Sequence, residues 1–132
     1  MRDIYWILAL AVAAFGGAVA APFHLDDFAL LNDPLVTDPN LLGNLSGWLQ
    51  QTRPLTWLSF WANYQIGGAH PAGYHLVNLL LHLAAIVLLR DTLGRITTPV
   101  IATLATVVFA LHPIQTEAVA YVFARATLWM AL

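Results

Sequence analysis

The chain contains no cysteine and no lysine, and only 9% of its 132 residues are charged. Each shortage excludes something. Without cysteine there is no disulfide framework and no thiolate chemistry, although the compartment stays open, because oxidising compartments permit disulfides without requiring them. Without lysine, and with five scattered arginines and a net charge of -2, there is no basic stripe to follow a phosphate backbone. Nucleic acid is therefore not an expected partner. Soluble domains carry roughly 25% charged residues; a chain with 60% apolar residues and so little charge belongs in a bilayer.

Hydropathy divides the chain into apolar runs and one large loop. Residues 4–21 are free of charge and about long enough to cross the hydrocarbon as a helix. A second run covers 72–89 and stops at Arg90-Asp91; a third covers 98–111 and stops at His112-Pro113. Residues 118–132 are apolar apart from Arg125 and read as a partial fourth span, as if the chain were the N-terminal piece of a longer one. The expected fold class is thus all-α, a polytopic helical membrane protein.

Arginine placement sets the expected orientation. Arg2 precedes the first span, and Arg90 and Arg95 lie in the link between the second and third. The positive-inside rule puts these on the cytoplasmic side, the N-terminus with them, and the loop 22–73 outside, in a bacterial periplasm or an endoplasmic-reticulum lumen. That loop holds Arg53 against Asp26, Asp27, Asp33 and Asp38. The same rule places His112, Pro113 and Glu117 outside. A rival reading treats the first span as a signal peptide, since Ala18-Val19-Ala20 has the form of a cleavage site. Against it, the charges of Arg2 and Asp3 cancel and the apolar run is long; either reading leaves the aspartate pair outside.

The outer loop is too rich in tryptophan and leucine to be a disordered linker. Asn32, Asp33, Pro34 and Asp38, Pro39, Asn40 are turn chemistry. Two amphipathic helices are expected between and after these turns. Residues 40–51 carry Leu41, Leu45, Trp48 and Leu49 on one side, and 54–64 begin with Pro54 at a first helical position and carry Leu55, Leu58 and Trp61 on one face, widened by Trp57, Phe60 and Tyr64. Both are expected to lie in the membrane interface, where aromatics favour headgroup depth. The alternative is a water-soluble mini-domain, which would have only a marginal core.

Three constellations bear on chemistry. In an extended segment the adjacent side chains of Asp26 and Asp27 point oppositely, so one can face a cavity as a general base while the other caps the following helix; capping by both is the plain alternative. Asp27 is slightly favoured for the base. Glu117, Tyr121 and Arg125 are spaced four and four, which puts them on one helical face. Arg125 suits a phosphate, through its guanidinium fork, or else pairs with Glu117. His75 and His82, seven apart, lie roughly 10 Å from each other along a helix, too far to share one metal. No metal site is expected, and His82 reads as an interhelical hydrogen-bonding residue. His112, beside Glu117, is the more suggestive histidine. Asn44-Leu45-Ser46 fits a glycosylation acceptor, a pattern common by chance.

The ordered features carry a resemblance. After one span come Phe23-His24-Leu25-Asp26-Asp27-Phe28 and Asn32-Asp33-Pro34, then Arg53-Pro54-Leu55-Thr56, Asn63-Tyr64 and His70-Pro71-Ala72-Gly73-Tyr74-His75-Leu76-Val77-Asn78, then Leu111-His112-Pro113-Ile114-Gln115-Thr116-Glu117. This resembles the N-terminal part of the C-type (GT-C) integral-membrane glycosyltransferases, closest to the TMTC-like branch of protein O-mannosyltransferases. The resemblance implies transfer of a sugar, typically mannose, from a polyprenyl-phosphate donor to a protein hydroxyl on the outer face, with an acidic residue of the first outer loop as base. Arg125, Glu117, Tyr121, His112 and Arg53 are the substrate-binding candidates, no cofactor is certain and a divalent metal is undetermined; the expected partners are membrane lipid, the lipid-linked donor, an acceptor protein and the rest of a parent chain. One departure stands out: the family usually shows an acidic residue two positions after the arginine, and Thr127 stands there. This stretch alone is expected to be inactive. A non-catalytic membrane subunit or transporter remnant, using the same loop for binding, is the alternative.

Overall fold

The computed structural model describes residues 3–132, and among these the regular structure is helical. Arg2, used above for orientation, lies outside the described residues. Helix α1, Ile4–Phe15, is followed by a 3-10 segment, Gly16–Ala20. Paired glycines weaken an α-helix, and a tighter turn is a common way for one to end. Twelve α residues and five 3-10 residues together span about 28 Å, close to a hydrocarbon thickness.

Helix α6, Pro71–Ile96, runs on past the expected stop at Arg90-Asp91. The charges do not end it because both are paired: Arg90 with Asp3, and Asp91 with Arg95 one turn on, a spacing that supports a helix. It is the one described helix long and apolar enough to cross a membrane. Helix α7, Pro99–Leu111, is capped by the Thr98 hydroxyl and stops at His112, whose following proline disfavours the helical backbone region.

The expected continuous helix over 118–132 is broken. Helix α8, Gln115–Ala120, gives way to extended backbone at Tyr121 and a 3-10 turn, Val122–Ala124, before α9, Arg125–Met130. Side chains from elsewhere take up the backbone groups this break releases. The Asn78 amide donates to the carbonyls of Ala118 and Tyr121, at 3.4 and 3.3 Å, and the Phe123 N–H donates to Asp27.

Helices α1, α6 and α7 pack together around Ile7, Ala11, Ile86 and Ala110, and the small residues at this seam let the backbones approach. Their outer faces are apolar and exposed, with Tyr5, Leu10, Leu80, Leu88, Leu104 and Val108 prominent. A second cluster, Phe23, Leu30, Val36, Phe60, Tyr74 and Val122, ties the loop to the top of α6.

The loop contains short helices α2 (Asp27–Leu30) and α3 (Pro34–Thr37), then α4 (Leu41–Gln50) and α5 (Pro54–Gly67). Asp33 and Asn40 cap α3 and α4, as their turn chemistry suggests. The aromatic face of 54–64 differs from its expected placement. Phe60 is buried, Trp57 and Tyr64 pack on the loop's own cluster, and the buried Trp48 donates its indole N–H to the Leu35 carbonyl, while the part-exposed Trp61 donates to the Asp38 carbonyl. Burying an indole N–H requires an acceptor, and the turn carbonyls supply it. Leu49 and Leu55, on the faces the sequence picks out, are strongly exposed, as is Leu42.

At the far end of the bundle, one carboxylate oxygen of Asp3 accepts from Arg90 Nε at 2.7 Å and from the Thr103 hydroxyl at 2.6 Å, joining α1, α6 and α7. These bonds, Thr103's first and Arg90's second, hold the Asp3 carboxyl below the ordinary carboxylate range. A carboxyl depressed in the folded state adds stability above its ordinary value, 3.8, and that stability is lost as pH falls toward the folded value. The unfolding temperature of the protein in detergent should therefore exceed that of Asp3→Asn near neutral pH, and the gap should shrink as pH drops below about 4. A gap independent of pH would show that the Asp3 charge contributes nothing.

Candidate active site at the aspartate pair

The segment before the pair is sharply turned. Leu25 has φ 45°, a backbone region that a bulky residue rarely adopts. The turn brings the Asp27 N–H to the His24 carbonyl at 2.9 Å, while Asp27 Oδ2 accepts the His24 N–H at 3.1 Å, so the two residues bond each other in both directions. The other oxygen, Oδ1, accepts the Phe123 N–H at 2.9 Å. Asp27 is fully buried. Both its oxygens are thus engaged by backbone, and its work is to join the loop to the 3-10 turn after α8.

Asp26 is exposed, and its Oδ2 accepts the Tyr121 hydroxyl at 3.0 Å. Tyr121 and Glu117, with His24, Leu25, Thr116 and Ala120, line an open cavity of about 490 Å³ beside it. The two neighbours therefore differ in surroundings: Asp27, slightly favoured above for the base, is enclosed, and Asp26 is exposed.

The single helical face expected for Glu117, Tyr121 and Arg125 does not exist, because the backbone turns at Tyr121. Glu117 and Tyr121 still share the cavity, whereas Arg125 points inward and is fully buried. Its Nε donates to Asn78 Oδ1 at 2.7 Å, one terminal nitrogen to the Ser59 hydroxyl at 3.1 Å and the other to the Tyr74 carbonyl at 2.9 Å. The Phe60 ring centre lies 4.5 Å from its guanidinium carbon. Glu117 is not among these partners, so neither sequence reading of Arg125, phosphate ligand or Glu117 partner, matches its surroundings. The fork is occupied by protein.

His112 is exposed at the end of α7, where its Nδ1 accepts the Ile114 N–H at 3.2 Å. His82 meets the Ala110 carbonyl at 3.2 Å across the α6–α7 seam, the role its spacing suggested. Arg53 is exposed at the start of α5, over a separate small cavity. Among the described residues no group of three His, Asp or Glu side chains converges as metal ligands. The sequence reading missed Asn78, which serves both Arg125 and the break after α8. Its signal was available: a buried amide in an apolar span needs partners.

Relatives of this chain are readily found. Protein O-mannosyl-transferase Tmtc1 of Drosophila melanogaster is 40% identical over 136 residues, covering 91% of this chain and 16% of the relative. Protein O-mannosyl-transferase TMTC2 of Mus musculus is 36% identical over 138 residues, covering 94% and 16%. Protein O-mannosyl-transferase F38B6.6 of Caenorhabditis elegans is 29% identical over 150 residues, covering the whole chain and 22% of the relative. By sequence, the chain is kin to the TMTC-like protein O-mannosyl-transferases. It spans between about a sixth and a quarter of the length of these three TMTC-like relatives. No family model matches, and no solved structure matches.

Removing the Arg125 guanidinium strands Asn78 Oδ1 and the Tyr74 carbonyl in an apolar interior. Arg125→Met should therefore cost on the order of 3 kcal/mol, the scale of losing bonds to a buried charged group. The check is a lowered unfolding temperature with faster proteolysis of the loop; an unchanged temperature would mean that Arg125 does not hold α5 and α6 together.

Proposed function

We propose that this chain supplies the first outer loop and the base of a C-type membrane glycosyltransferase, which moves a sugar, mannose by kinship, from a polyprenyl phosphate to a protein hydroxyl. The observation that carries the reading is the division of labour in the pair: Asp27 sealed by backbone N–H groups, Asp26 exposed beside an open cavity and held by Tyr121. In the proposed reaction the acceptor oxygen attacks the anomeric carbon and the bond from that carbon to the phosphate oxygen breaks. The phosphate leaves with the bonding electrons. Asp26 takes the hydroxyl proton, without which a serine or threonine is a poor nucleophile. The relatives' printed names, protein O-mannosyl-transferase, support the transfer and the acceptor class.

In this reading Glu117 and His112 border the acceptor side, and the exposed leucines of α4 and α5 rest on the outer leaflet. The Asp3 end of the bundle faces the cytoplasm and the loop faces outward, so the protein is multi-pass.

Asp26→Asn, in the full-length protein, should lower transfer from a radiolabelled polyprenyl-phosphate sugar to an acceptor peptide by about 10²–10⁴-fold with little change in unfolding temperature. Asp27→Asn should chiefly lower that temperature, because it replaces an acceptor with a group that cannot serve both N–H donors as well. Near-normal turnover in Asp26→Asn would remove the base from this reading.

The orientation has its own test. Single cysteines at Ser46→Cys and Ile96→Cys, both at exposed positions or in the loop itself, should react with an impermeant thiol reagent from opposite sides of sealed vesicles. Labelling of both from one side would overturn the multi-pass arrangement.

A further inference from the structure

Leu25 is strained, and nothing in the packing of the loop accounts for a leucine there. At φ 45° it occupies a backbone region that glycine and asparagine enter far more readily. Its side chain is 83% exposed, more than that of any other described leucine. The bonds of the turn are made by backbone and by Asp27: His24 and Asp27 bond each other in both directions, and the Leu25 carbonyl accepts the Phe28 N–H at 3.4 Å. None of them uses the leucine side chain. The turn thus requires a positive φ at this position but not a leucine, and an outlier of this kind beside a candidate active site points to a use for the side chain.

That side chain stands at the site. Leu25 precedes Asp26, the exposed carboxylate, and lines the open cavity of about 490 Å³ together with His24, Thr116, Glu117 and Tyr121. The volume is in the range of ligand sites. Ala120 completes the wall, so Leu25 is the one large aliphatic group in it. Such a wall suits a peptide, which brings amide groups to the polar side chains and an apolar side chain to the leucine. An isoprenyl tail suits it less, because His24, Glu117 and Tyr121 would face hydrocarbon without partners. Immersion of Leu25 in the bilayer is disfavoured for the same reason: Asp26 beside it and Glu117 in the same wall would be drawn toward hydrocarbon with it.

We infer that Leu25 is a specificity-determining residue for the acceptor: it contacts an apolar side chain one or two residues from the reacting serine or threonine, and so selects hydroxyls with apolar neighbours. The inference rests on the glycosyltransferase reading for the reaction. Leu25 and Asp26 are consecutive, with Cα atoms about 3.8 Å apart. The contact that recognises the acceptor therefore also brings its hydroxyl to the carboxylate.

The test is transfer by the full-length protein in nanodiscs, from a radiolabelled polyprenyl-phosphate sugar to two threonine peptides. One peptide carries leucine at the two positions on each side of the threonine, and the other carries asparagine there. Wild type should favour the leucine peptide roughly 10-fold in kcat/KM, the low end of what one apolar contact discriminates, as befits an open cavity. Leu25→Asn keeps the branched shape and accepts a positive φ, but loses the apolar surface. It should bring the ratio near one, with the loss in KM for the leucine peptide. Leu25→Met, which stays apolar, should keep most of the preference. The unfolding temperature of Leu25→Asn should equal or exceed that of wild type, since the strain is relieved. A lowered temperature with an unaltered ratio would make Leu25 a structural residue and overturn the inference. So would a wild-type ratio near one. A loss equal for both peptides and matched by Leu42→Asn on α4 would assign Leu25 to the bilayer, and a loss that follows the isoprenyl length of the donor, not the peptide, would assign it to the donor's tail. No transfer from wild type to either peptide would overturn the glycosyltransferase reading and this inference with it, whereas transfer without preference overturns this inference alone.

Discussion

A guanidinium buried to zero exposure among aromatic rings is the constraint on which the upper half of this molecule depends. Arg125 cannot shed its charge, so each N–H that leaves water must find an acceptor inside. The acceptors come from α5 (Ser59) and α6 (Asn78 and the Tyr74 carbonyl), while the arginine itself opens α9. Three elements are thereby fixed to one planar group, α9 being distant in sequence from the other two. Phe60 and Tyr74 close over it, and these same rings belong to the cluster that seats the loop on α6. Packing and polar satisfaction meet at one residue.

Asn78 extends that constraint to the break after α8. Its oxygen receives Arg125 while its nitrogen serves the Ala118 and Tyr121 carbonyls. The helix can leave its ladder at Tyr121 because a side chain replaces the missing backbone donors. The break then lets Tyr121 reach Asp26 and lets Phe123 present its N–H to Asp27. An unbroken helix would have carried Tyr121 and Arg125 on one face and could not have served an exposed carboxylate and a buried core at once.

Much of the architecture was legible in the sequence because hydropathy and caps are local signals. The apolar runs 4–21, 72–89 and 98–111, Pro54 at a helix start, and the turns at Asn32–Pro34 and Asp38–Asn40 correspond to observed features. What was not legible depended on partners distant in sequence. Arg90 and Asp91 look like a helix stop until Asp3 and Arg95 are seen to neutralise them. The indole of Trp48 looks like an interfacial anchor until the Leu35 carbonyl is seen to hold it in the interior. Spacing of four and four makes one face only in an intact helix, and nothing near Tyr121 in sequence announces that Asn78 will break it. For the aspartate pair, sequence could not say which side chain is enclosed; the Phe123 N–H, distant in sequence, is what takes up Asp27.

The turn at Leu25 shows how the same interactions aim the site. A leucine at φ 45° is held in a region that costs of order 1 kcal/mol or more, and its side chain, 83% exposed, gains little packing in return. The surrounding bonds impose it: Asp27 accepts the His24 N–H and returns its own N–H to the His24 carbonyl, which leaves the two residues between them little freedom. Because Asp27 is anchored to the Phe123 N–H, Asp26 is presented outward on a loop that cannot easily rotate it inward. The direction of the exposed carboxylate thus follows from the burial of its neighbour, and the Tyr121 hydroxyl, placed by the break that Asn78 sustains, meets it there.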